Sequence, residues 1–252
     1  MELALENVNN IYKMLSREHD YSVLLSSNKS DFTTQFHCPL ILKVSRWSVG
    51  LVSLETYNSI PNITDKNNVF TYSTDSGATW KTLTLSVGSY EIEEINSEIH
   101  RLMRLNKDKG IDIKVNNHTL GSVVHIRPET YEIDFTVENS IGIILGFDSV
   151  VLKHGYNISP SIVKILSVNS ILVNCDIVSN SYLNSSNYPV LYSFFPNSKP
   201  GYKIIQDPVN VVYLPINTEH IQNIRIWLTD QDGNPLDFRG ETITLRLHFK
   251  QI

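Results

Sequence analysis

Eight histidines (His19, His37, His100, His118, His125, His154, His220 and His248) are the side chains here best suited to hold a metal or carry a proton near neutral pH. They are scattered, and no two stand at the spacing that puts a pair of ligands on one helix face or one turn. Glu93-Glu94 has the form of an acid/base pair, but it falls at the start of an amphipathic stretch, where acids are favoured by the helix dipole. Asp230-Gln-Asp-Gly-Asn resembles a calcium loop, yet it lacks the full ligand spacing and the terminal bidentate acid. A turn between strands accounts for the same residues. The chain also lacks Gly-x-Gly-x-x-Gly, a P-loop, His-Glu-x-x-His and Gly-x-Ser-x-Gly. The expectation is a protein with no catalytic residue, no metal and no cofactor.

Cys38 and Cys175 are the only cysteines. Two thiols allow one bridge, but neither has the spacing of a metal or redox motif. Both lie among apolar neighbours, Phe36, Pro39 and Leu40 for the first and Leu172, Val173 and Ile177 for the second. They read as buried free thiols packing as small hydrophobes. Five Asn-x-Ser/Thr sequons begin at Asn28, Asn62, Asn117, Asn157 and Asn184. The N-terminus has acid where a secretion signal has base, so the reading is cytosolic synthesis and unmodified asparagines. A net charge of −5 argues against non-specific nucleic-acid binding, and no apolar run approaches the roughly 20 residues of a membrane helix.

The elements that position these residues follow from periodicity. Ala4, Val8, Ile11, Tyr12 and Leu15 recur at helical spacing, with Glu2, Glu6, Asn9, Lys13 and Arg17 off that face, predicting an amphipathic N-terminal helix over residues 1–20. Beyond it the pattern turns to strands. The clearest are at the C-terminus, where Ile224, Ile226 and Leu228, then Ile243, Leu245, Leu247 and Phe249, alternate with polar residues. Trp47 to Tyr57 is apolar enough for the centre of a sheet. Further strands are expected near residues 21–25, 32–36, 69–73, 81–86, 111–115, 122–126, 131–135, 165–178, 190–194 and 211–214.

Two segments interrupt this pattern. Residues 89–106 carry Ile92, Ile95, Ile99, Leu102 and Met103 on one helical stripe, with acids early and bases late. Residues 139–147 predict a short helix closed by Gly146. No linker or low-complexity tract divides the chain. The expectation is therefore a mainly β, antiparallel sandwich or barrel over 21–252, with a helical insertion near 89–106.

Several stretches are similar to one known family: Glu55-Thr-Tyr-Asn-Ser-Ile-Pro-Asn-Ile63, Asn139-Ser-Ile-Gly-Ile-Ile-Leu-Gly-Phe147, Gly201-Tyr-Lys-Ile-Ile205, and Asp230 through the strand that begins at Glu241. Their order matches too: a Gly-x-Tyr helix entry at Gly88 to Tyr90, the Leu-Gly-Phe segment, Val173-Asn-Cys-Asp-Ile177, then the C-terminal strand pair. The chain from Trp47 onward resembles the minor capsid, penton-like proteins of Polinton/Maverick elements and adintoviruses. The resemblance implies a jelly-roll sandwich forming a homopentamer at the vertices of a double-stranded DNA virus. Its partners would be its own copies and the major capsid protein, its location the virion, with no specific nucleic acid or membrane contact. The stripe Ala4, Val8, Ile11, Tyr12 and Leu15 would then be a docking arm, or a helix folded back on its own domain. The competing function is a β-sandwich that binds carbohydrate or a receptor through aromatics such as Trp80, Tyr156, Tyr182, Tyr188 and Tyr192. Ring assembly against sugar retention separates the two, since lectins share the fold class. An enzyme is the third reading, and it lacks any catalytic constellation.

Overall fold

A computed structural model of the chain describes residues 20–42, 46–165 and 168–251. The predicted N-terminal helix, with Ala4, Val8, Ile11, Tyr12 and Leu15, lies outside them.

Three long strands open the described chain: β1 (Tyr21–Ser27), β2 (Asp31–Ile41) and β3 (Trp47–Tyr57). A second group follows: β4 (Val69–Ser73), β5 (Lys81–Thr84), helix α1 (Ile92–Leu105), β6 (Ile111–Val115), β7 (Gly121–Ile126), β8 (Glu132–Asp134), β9 (Val151–Leu152) and β10 (Gly155–Ile162). The chain then returns through β11 (Ile171–Cys175), a small hairpin of β12 (Tyr182–Leu183) and β13 (Ser186–Asn187), and β14 (Val190–Phe194). It finishes with β15 (Lys203–Gln206), β16 (Leu214–Pro215), β17 (His220–Thr229) and β18 (Ile243–Gln251).

The first and last groups make one sandwich. One sheet runs β1-β18-β3-β15, with β16 also on β3; the other runs β14-β11-β17-β2. Because β15 and β16 pair with successive halves of β3, they act as one interrupted strand. Counting them so leaves eight strands, paired antiparallel in a nested way: first with eighth, second with seventh, third with sixth, fourth with fifth. The nest is rolled so that alternate pairs fall in opposite sheets, which is the jelly roll. Every inward position predicted from the alternation is filled as expected. Leu25, Leu245 and Leu54 form one cross-strand row, and Tyr21, Phe249 and Val49 another. Ile224, Ile226 and Leu228 face them from the second sheet, buried like Leu51 and Leu247.

The insertion is larger than a helix. Residues from Ile63 to Ile165 enclose a second apolar cluster of their own, separate from the sandwich core. A four-stranded sheet, β5-β4-β8-β9, and a three-stranded one, β10-β7-β6, share it with α1. Ile92, Ile95, Ile99 and Met103 form the buried stripe of that helix. The helix is fixed at both ends. The Glu94 carboxylate accepts from the Glu91 amide at 2.8 Å, so that acid serves the first turn. Beyond the last turn, Asp108 accepts from the buried Tyr72 hydroxyl (2.7 Å) and from Lys81 (2.6 Å). Burial pushes the Tyr72 phenol up to about 12, so it stays a neutral donor to that carboxylate.

Residues 139–147 form a 3₁₀ turn at Ile141–Ile143, with the Ser140 hydroxyl accepting from the Gly142 amide, and Gly146 following at φ +81°. Among the described residues the expected strand over 165–178 is confined to Ile171–Cys175, and that over 211–214 to Leu214–Pro215. Cys175 is buried, but Cys38 is exposed, against expectation. The register of β2 against β17 slips between Ile221 and Asn223, and the surplus residues 36–39 bulge. A bulge turns a side chain away from the face that strict alternation assigns it.

Candidate interaction surfaces

Among the described residues no three His, Cys, Asp or Glu side chains are grouped so as to hold a metal, and no helix is long and apolar enough to cross a membrane. The residues that resembled a calcium loop form a closed turn. Asp230 accepts from the amides of Asp232 (2.9 Å) and Asn234 (2.8 Å) and from the Asn234 side chain (2.9 Å). Its carboxylate serves the chain itself. Among the described histidines, His100 faces Asp112, His248 shares a hydrogen bond with Tyr213 and faces Asp20, and His125 stacks on Tyr156. Cys175 is an inert position, because burial pushes its thiol up to about 12.

Strand register shows at which end of the sandwich β1 starts. Tyr21 opposes Phe249, which opposes Val49, and the Tyr21 ring lies 5.5 Å from Trp47. β1 therefore begins at the same end of the sandwich as β3. The second unit leaves from the other end, where β3 finishes. A cleft of about 580 Å³ at the end where β1 and β3 begin is lined by Leu42, Trp47, Ile216 and Glu219 among others.

The opposite end is a junction, and residues 55–63, 88–90 and 201–205 of the sequence resemblance meet there. Asn62 is its centre. Its amide donates to the carbonyls of Tyr90 (2.7 Å) and Ile165 (3.2 Å), and its oxygen accepts from the Tyr90 amide (2.9 Å). One side chain thus ties the departing strand, the entry to α1 and the returning chain. Asn58 donates to the Ser198 carbonyl (2.6 Å), and Ser59 to the Phe238 carbonyl (2.6 Å). The Gly201 to Ile205 segment lies along the same stretch, with Lys203 opposite Tyr57 and Ile205 opposite Glu55. A cleft of about 470 Å³ remains between the two cores, walled by Ile60, Leu120, Ile162 and Pro196 among others.

The outer face of the first sheet mixes apolar and charged groups. Leu24, Tyr57 and Ile205 are exposed there. Register sets them among Arg246, Glu55 and Lys203, the last two forming an ion pair. On the second sheet the Arg225 guanidinium grips Asp31 with two bonds, at 2.9 and 2.7 Å, and lies 4.9 Å from the Trp227 ring. That grip holds the Asp31 carboxyl below its usual range. Of the aromatics proposed for ligand contact, Tyr156 and Tyr182 are well exposed and Trp80 partly so, whereas Tyr192 packs against the sandwich core and its hydroxyl accepts from Gln206. Tyr188 sits with its hydroxyl 3.5 Å from the Trp227 indole nitrogen. The five do not converge on one site.

No protein-family model matches the chain, and no curated protein does. Among solved structures, the chain is similar to the mavirus penton protein at 10% identity and a TM-score of 0.49, over 93% of this chain and all of that one. It is also similar to a chain of the Sputnik virophage at 14% identity and a TM-score of 0.41, over 92% of this chain and 97% of that one.

Proposed function

We propose that this protein is a structural subunit of a viral capsid, and specifically the vertex, or penton, subunit of a Polinton-like or adintovirus-like double-stranded DNA virus. The observation that carries the reading is where the family-like segments lie. Residues 55–63, 88–90 and 201–205 are remote in sequence, yet they meet at the junction between a jelly roll and the unit inserted between its third and fourth strands. The resemblance therefore covers the part of the chain that defines this architecture, rather than a generic strand.

In this reading copies pack side by side into a closed ring of five. A ring needs two different patches per subunit, repeated until closure. The sandwich flank with Leu24, Tyr57 and Ile205 among ionised neighbours has the mixed character of such contacts. The segment bearing Ala4, Val8, Ile11, Tyr12 and Leu15 is, in this reading, the arm that docks the subunit to the major capsid protein. The second unit then points away from the shell.

Light scattering and negative-stain imaging of the full chain, alone and with its cognate major capsid protein, test this. Five-membered rings or incorporation at vertices support it. A monomer at every concentration, both alone and in the mixture, refutes it.

A further inference from the structure

The three-stranded sheet of the second unit packs one face on α1 and turns the other outward. On the outward face the register sets Asp112, His125 and Tyr156 side by side in one row, and Lys114, Val123 and Ile158 in the next. Tyr156 is 74% exposed, yet its ring is held: it stacks on His125 with centroids 3.9 Å apart and planes 8° from parallel. One ring face is occupied by the imidazole and the other is free. Beside it opens a cleft of about 320 Å³ lined by Asp112, Lys114, Val123, His125, Arg127 and Tyr156.

Isolated exposed aromatics are ordinary on protein surfaces. A preorganised ring next to an unpaired lysine is a different arrangement. The Asp112 carboxylate is already engaged by Arg127 and by His100 at 3.3 Å. Lys114 is exposed, with no carboxylate within ion-pair distance among the described residues. An adjoining groove shares Asp112 and Arg127 and adds Arg104 and Lys109, while its own acid, Asp108, is held by Lys81 and Tyr72. The face is locally cationic on a chain whose net charge is −5.

We propose that this face is a binding site for an acidic saccharide. The apolar side of a pyranose ring lies on the free face of Tyr156, and its carboxylate or sulfate meets the unpaired Lys114. His125 and Asp112 serve the ring hydroxyls. Aromatic and polar groups then do what small-ligand sites require of them: one supplies contact area, the others fix orientation. Nucleic acid is the poorer fit, because so few cations and no continuous basic track would leave little counterion release to drive binding. The site does not depend on the capsid reading, since an isolated monomer carries it whole.

The test is saturation-transfer NMR and calorimetry on the full chain with a sialylated trisaccharide, a sulfated hexasaccharide, neutral lactose and a short oligothymidylate. One of the two acidic saccharides should bind, which also identifies the anion. Lactose should bind at least about tenfold more weakly, as should that acidic saccharide to Tyr156→Ala and to Lys114→Ala, each having lost a ring contact or a charge-assisted bond. Tyr156→Phe should retain binding. Both truncated side chains are exposed, so folding is preserved and is checked by circular dichroism. The proposal is overturned if neither acidic saccharide binds at about millimolar concentration, the highest Kd such a site would have. Binding undiminished in Tyr156→Ala, lactose binding equally well, or the oligonucleotide binding more tightly than both saccharides each overturns it too.

Discussion

Replacing Gly146 by alanine puts a methyl carbon 2.3 Å from the Ser161 carbonyl oxygen and 3.0 Å from that of Ile162. Both are backbone atoms of β10, so neither can swing aside. The Ser161 amide also donates to the Gly146 carbonyl (3.1 Å) and the Lys164 amide to that of Ile144 (2.8 Å), which pins the two segments together. Two costs add. Alanine in the left-handed region, where Gly146 sits at φ +81°, costs about 1–2 kcal/mol. Forcing a methyl into filled space costs about 1–3 kcal/mol more. Gly233 isolates the first cost: its φ is +85°, but a methyl there meets nothing within 4 Å. Gly146→Ala should thus lower the stability of the second unit by about 2–5 kcal/mol, and Gly233→Ala should cost only about 1–2 kcal/mol. Native-state hydrogen exchange at the amides of β7 and β10 reads the first directly, and urea titration reads both. Equal losses for the two variants would show that the close approach of the 3₁₀ turn to β10 is not real.

Leu245→Ala, which empties a position in the centre of the sandwich, should cost about 2–5 kcal/mol in urea titration, whereas Lys250→Ala should stay within about 0.5 kcal/mol. Ellman titration of the native chain should detect one thiol, Cys38, and a second only after unfolding exposes Cys175. Asp75 is held down to about 2 by the Thr79 hydroxyl and amide and the Ser73 hydroxyl. Its folded pKa is below its unfolded one, so its contribution to stability is complete above about pH 4 and is lost as pH falls toward 2, a titration that NMR of the carboxyl carbon follows. Deleting residues 1–17 should leave the sandwich folded and weaken association with the major capsid protein, measured by co-sedimentation.

The jelly-roll strands were legible where a long run alternates between a buried and a wet face, whereas the four-residue β15 was too short to show it. Ile224, Ile226, Leu228 and the run from Ile243 to Phe249 alternate cleanly and occupy the core as read. β10 escaped because its polarity is reversed. Tyr156, Ile158 and Ile162 point to solvent, and Pro160 falls where its register against β7 slips. A strand at a sheet edge whose apolar residues face outward has no core signature to read. The second core was hidden for another reason: its cluster joins residues from Ile63 to Ile165, and no spacing rule connects them. Tyr156 was named as a contact aromatic from the sequence, but its stack on His125 depends on cross-strand register, which composition does not specify. Cys38 was misplaced because a bulge is invisible to a period-two count.

Nesting the strands first with eighth through fourth with fifth has a consequence for how the chain folds. The strands that must meet are the most distant in sequence, and residues 58–170 stand between the third and fourth of them. As an unfolded loop, that stretch would add closure entropy to every pairing across it. Once compact, it brings its two ends together at Asn62, which binds both Tyr90 and Ile165, and the gap shrinks to the length of a short turn. The inserted unit is thus a clasp as well as a passenger. The expected order is the insert first, with the sandwich closing on it afterwards. Weakening the insert should therefore slow the refolding of the jelly roll far more than it hastens its unfolding.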